Sequence, residues 1–102
     1  MIERRGAIRY NFGAVAEVFG LEEPRGLVSI AQDLSFSGCF VKTATPFPEG
    51  TRVRVRITHS GGEFVAVGSV TANVSATGMG VVFTKIEASE RAFLEKWLEN
   101  PE

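Results

Sequence analysis

Three arginines stand within six residues near the N-terminus: Arg4, Arg5 and Arg9, with Glu3 as the only acid among the first ten residues. Guanidinium groups this close repel one another, and an anion between them relieves the repulsion. Each can fork onto a phosphate through two parallel hydrogen bonds, and each can stack on a purine ring. The same fork matches the O6 and N7 acceptors of guanine. The plainer alternative is that these arginines are solvated or pair with the acids crowding the other terminus, Glu87, Glu90, Glu95, Glu99 and Glu102. A second group is Asp33-Leu34-Ser35-Phe36-Ser37-Gly38. Asp and Ser readily bond nearby backbone amides, and Gly permits positive φ, so a structural turn between strands explains it. Its chemical reading gives Asp33 the donors of a base edge and has Ser35 and the loop amides hold a ligand.

The remaining reactive residues point to little chemistry. His59 is the only histidine and has no second metal-binding side chain close in sequence. Cys39, beside Phe40, reads as a small core residue. Asp33, Ser35 and His59 form a hydrolytic set on paper only, since no nucleophile-elbow context surrounds the serine. Arg52, Arg54 and Arg56 share one face of a strand and read most simply as a solvated exterior, the alternative being a secondary role in recruiting a partner or anionic surface.

These groups must be positioned by short strands. Tyr10 to Phe19, Leu27 to Ala31, Gly38 to Thr43, Thr51 to Thr58, Phe64 to Val70 and Gly78 to Phe83 carry strand composition, separated by Gly- and Pro-rich breaks. Between Thr51 and Thr58 the alternation is clean, with Val53, Val55 and Ile57 opposite the three arginines. Ser89-Glu90-Arg91 has a hydroxyl cap and an acidic first turn, and Phe93, Leu94, Trp97 and Leu98 then recur at helical spacing until Asn100-Pro101. The expected fold is all-β with a C-terminal helix, six antiparallel strands closing a small barrel whose opening or flank the helix covers.

The 102 residues leave room for one domain, and 44% apolar content suits a folded core. A net charge of −1 excludes the footprint of a general nucleic-acid binder, and a local basic patch suits a small anion better. No apolar run is long enough to span a membrane, the opening Glu3-Arg4-Arg5 is unlike a signal peptide, and the single cysteine forms no internal disulfide. The expectation is a cytoplasmic protein without membrane insertion. Nothing activates a nucleophile or a water, so an enzyme is not expected, nor a cofactor or metal.

Arg4-Arg5, three residues, Arg9, and then Asp33-x-Ser35-x-x-Gly38 about two dozen residues on resembles the PilZ family. Pro48-Glu49-Gly50-Thr51, Gly78-Met79-Gly80-Val81-Val82-Phe83 and the terminal amphipathic helix are similar to that family's later segments, so the likeness covers nearly the whole chain. The resemblance implies a bacterial six-stranded antiparallel β-barrel of PilZ type over 10–86, a helix over 89–99, and a flexible arginine-rich segment over 1–9 that folds over its ligand, cyclic di-GMP. By that likeness Arg5 and Arg9 carry RxxxR, Arg4 adds a preceding arginine, and Asp33, Ser35 and Gly38 carry DxSxxG. Ligand binding would change the conformation and signal to a partner protein, with no nucleic acid involved. Arg4 favours an intercalated ligand pair over a single molecule. The alternative is an interaction module of the same fold that binds no nucleotide. Thr71-Ala72-Asn73-Val74 departs from the pattern by lacking an aromatic residue.

Overall fold

A computed structural model describes residues 10–59, 61–75 and 77–99. They form β1 (Tyr10–Gly20), β2 (Gly26–Leu34), β3 (Gly38–Lys42), β4 (Arg52–His59), β5 (Gly62–Ser75), β6 (Gly78–Lys85) and α1 (Ala88–Glu99). The strands close a barrel in the order β1-β2-β3-β6-β5-β4, and β1 pairs antiparallel with both β2 and β4. Every neighbouring pair is antiparallel, so the starts of β1, β3 and β5 share one barrel end with the finishes of β2, β4 and β6.

The β4 alternation holds as expected: Val53, Val55 and Ile57 are buried while Arg52, Arg54 and Arg56 are exposed. On β1 the inward positions are Ala14, Ala16 and Val18, leaving Val15 and Phe19 outside. Large inward side chains such as Leu34, Ile57, Phe64 and Met79 fill much of the interior, and alanines (Ala31 on β2 and Ala66 on β5 among them) stand at other inward positions. Phe47, in the break between β3 and β4, is fully buried beside Gly20 at the finish of β1. Arg25 covers its ring, with the guanidinium carbon 4.2 Å from the ring centroid.

Three elements differ from the sequence expectation. β2 continues past Ala31 to Leu34, and β5 continues past Val70 to Ser75, so Thr71–Val74 is strand rather than a segment following one. Register shifts between Ala31 and Asp33 and between Val70 and Val74 interrupt the two-residue period that would have announced these extensions. The helix begins at Ala88, with the Arg91 amide donating to the Glu87 carbonyl (2.8 Å). Ser89 therefore lies inside the first turn and is not its cap.

The helix packs on the barrel end through Leu94, Trp97 and Leu98, all buried. The Trp97 ring meets His59 edge-on (5.4 Å between centroids) and lies 5.0 Å from Phe93 and 6.4 Å from Phe64. Glu90 reaches back to the sheet, where its Oε1 accepts the Val65 amide at 2.8 Å. Cys39 is fully buried in the core.

Candidate ligand-binding site

Asp33 is the penultimate residue of β2, in register with Asn11 of β1 and Phe40 of β3. Phe40 is half-buried between the inward Cys39 and Val41, which places it on the outer face with Asp33. Its ring lies over Gly78 of β6, where an added Cβ would come within 2.4 Å of Phe40 Cε2.

Beyond Leu34 the chain reverses through a turn organised by Ser35, which is only 1% exposed. Its Oγ accepts the amides of Ser37 (3.2 Å) and Gly38 (3.3 Å). The hydroxyl proton has the Gly38 carbonyl (3.3 Å) and Ser37 Oγ (3.1 Å) as acceptors. The Ser35 amide also donates to the Gly38 carbonyl at 2.9 Å. A hydroxyl so engaged builds the turn, and it leaves little for a ligand. Ser37 then ties the turn to β6, its carbonyl accepting the Phe83 amide at 2.8 Å. Phe36 is left exposed at the tip.

Gly38 is a glycine for a reason other than positive φ. The positive-φ glycines of the described residues are Gly13, Gly50 and Gly61. At Gly38 a Cβ would sit 2.1 Å from the Val81 carbonyl oxygen, so the absence of a side chain lets β3 and β6 meet.

The structure thus brings Asp33, Ser35 and Gly38 together at the barrel end where β1 starts, since Tyr10 is in register with Leu34. Arg4, Arg5 and Arg9 lie outside the described residues. His59 is packed on Trp97 and Ser35 is spent on its turn, so neither supports a hydrolytic set with Asp33. No group of three or more His, Cys, Asp or Glu side chains is gathered for a metal among the described residues. Two shallow grooves on the outer wall, of about 70 and about 210 Å³, are lined by other residues: Phe19, Arg54, Arg56 and Val65 in the first, and Val65, Ala66, Val67, Lys85 and Glu87 in the second. Phe40 is the neighbour that motif spacing missed. Its signal would have been the ladder position opposite Asp33, which depends on the register shift in β2.

The model of the PilZ domain matches residues 3–100, nearly the full chain. The chain belongs to the PilZ domain family. PilZ domains are receptor and adaptor domains of a cyclic di-GMP receptor family, not enzymes. Among solved structures, the Bacillus subtilis inhibitor of motility MotI/DgrA aligns with a TM-score of 0.73 at 16% identity, over 99% of this chain and 55% of that one. The PilZ domain of CeSA from a cellulose-synthesizing bacterium aligns with a TM-score of 0.69 at 20% identity, over 90% and 94%. The chain therefore spans just over half the length of MotI/DgrA. At these identities the likeness is one of fold, a closed six-stranded barrel with a C-terminal helix. No curated protein sequence matches. No helix among the described residues is long and apolar enough to cross a membrane.

Proposed function

We propose that this PilZ domain is a cytoplasmic receptor for cyclic di-GMP that changes conformation on binding and so signals to a protein partner. The observation that carries the reading is the meeting of the Asp33–Gly38 turn with the start of β1 at one barrel end. Arg9 immediately precedes Tyr10 in the sequence, and Tyr10 stands opposite Leu34, the residue after Asp33. Arg5 and Arg9 are assigned to phosphate and purine contacts, Asp33 to the guanine edge, and Arg4 to a second ligand molecule stacked on the first. Ser35 and Gly38 serve by holding the turn's shape, as the hydrogen bonds of Ser35 and the close approach at Gly38 support.

Isothermal titration of the whole chain with cyclic di-GMP tests the reading. Saturable binding is expected, lost or weakened at least about tenfold in Arg5→Ala, Arg9→Ala and Asp33→Ala, each of which removes a charged hydrogen-bonding group. A stoichiometry near two is expected, and a value near one removes the role given to Arg4. No heat at tens of micromolar ligand, with the chain shown folded by circular dichroism, overturns the assignment.

A further inference from the structure

Of the seven large apolar side chains exposed among the described residues, five share one wall of the barrel: Val15, Phe19, Leu21, Val28 and Ile30, between 38% and 68% exposed. Pairing of β1 with β2 sets Val15 opposite Ile30 and Glu17 opposite Val28, while the Phe19 ring lies against Gly26. On the other flank, β4 sets Arg54 opposite Phe19 and Arg56 opposite Glu17. The Leu21 amide donates to the Arg52 carbonyl at 2.9 Å, so the apolar wall ends beside Arg52. A groove of about 70 Å³ opens between Phe19, Arg54, Arg56 and Val65.

The charges along this wall are unbalanced. Arg56 lies 3.7 Å from Glu17 and 3.9 Å from Glu63, but neither Arg52 nor Arg54 has an ion pair among the described residues. An exposed apolar patch rimmed by unpaired guanidiniums costs solubility when left bare and marks a contact surface.

We propose that this wall docks a partner protein through a segment presenting an Asp or Glu beside two or more aliphatic or aromatic side chains. The apolar side chains cover Val15, Val28 and Ile30, and the carboxylate enters the groove beside Phe19 to take the Arg54 fork, with Arg52 at the rim. A second copy of the chain fits less well: Glu17, the acid between Val15 and Phe19, already faces Arg56, and the acid left for Arg52 and Arg54 is Glu22, in the turn at the end of the wall and not among its apolar side chains. The wall runs from Ile30, midway along β2, to Leu21 at the barrel end away from the Asp33–Gly38 turn. Docking there is compatible with an occupied or an empty nucleotide site and does not rest on nucleotide binding.

Panning a random-peptide display library on the intact chain tests this, with the Val28→Glu/Arg54→Glu double variant as counter-selection. Val28 and Arg54 are exposed, so both substitutions leave the fold in place, checked by circular dichroism and thermal midpoint. Enriched peptides are expected to combine an acid with apolar residues and to shift the amides of Val15, Phe19, Val28, Ile30 and Arg54 in nitrogen–proton spectra. Either single variant should bind them at least about tenfold more weakly, and replacing the peptide's acid with Lys should restore binding to Arg54→Glu. Peptides without acids, binding indifferent to the variants, or shifts confined to other faces would overturn the proposal. So would self-association of the wild type in sedimentation that Val28→Glu abolishes, which would make a second copy the occupant.

Discussion

Phe40 on β3 stands directly opposite Asp33 on β2, with its ring laid across Gly78 of the next strand. A planar apolar surface beside a carboxylate is what a guanine needs, one group to stack on and one to accept its edge donors. Phe40→Ala is therefore expected to weaken cyclic di-GMP binding about fivefold or more, since a base stacked on an aromatic ring is worth about 1–3 kcal/mol. Phe40→Tyr should bind like the wild type. Calorimetric titration decides it, and unchanged affinity in Phe40→Ala would remove Phe40 from the site while leaving Asp33 in it.

Ser35→Ala should act on stability before it acts on binding. It removes the acceptor of the Ser37 amide and of the buried Gly38 amide. Unsatisfied buried donors cost about 1–3 kcal/mol, and each kcal/mol lowers the thermal midpoint of a domain this size by about 4–8 °C. A melting curve unchanged by the substitution would show that the turn does not depend on this hydroxyl.

Gly38→Ala and Gly13→Ala separate two reasons for a glycine. At Gly38 the added methyl would strike the Val81 carbonyl, backbone against backbone, so β3 and β6 must part. A loss of at least about 2 kcal/mol is expected, in the upper range for overpacking. At Gly13 the methyl meets nothing within 4 Å, and only the φ of 63° resists it. About 1 kcal/mol is expected there. Urea denaturation midpoints of the two variants should fall in that order.

Glu90→Ala should loosen the helix from the sheet, because the Val65 amide loses its acceptor. The expected cost is about 1–2 kcal/mol, with Glu90→Gln milder because an amide oxygen still accepts. Trp97, the only tryptophan, sits in the adjoining aromatic cluster and reports the change through its fluorescence. Unfolding followed at Trp97 should shift to lower denaturant in Glu90→Ala.

The residue pattern was enough for the strand count, the alternation on β4, the helix stripe Leu94-Trp97-Leu98 and the family. Each of these rests on local periodicity or on motif order, which a linear chain displays directly. The Asp33–Gly38 segment was legible as a turn with chemical residues, but the division of labour within it was not. Whether a serine hydroxyl meets a ligand or its own turn depends on burial, and Ser35 is buried. The same holds for Gly38, whose constraint comes from β6, a strand some 40 residues away in the chain.

Only the closed barrel decided which apolar residues form the core. Read along the chain, Val15 and Phe19 look like better core residues than Ala14 and Ala16. Closure of six strands reverses that choice: Ala14, Ala16 and Val18 turn inward, where Leu34, Ile57, Phe64 and Met79 from other strands and Phe47 from a loop occupy the interior. The large side chains displaced to the outside, paired across β1 and β2 and flanked by the arginines of β4, became the wall assigned here to a partner. Periodicity shows that a strand has two faces. The radius of the closed sheet determines what the inner face can hold.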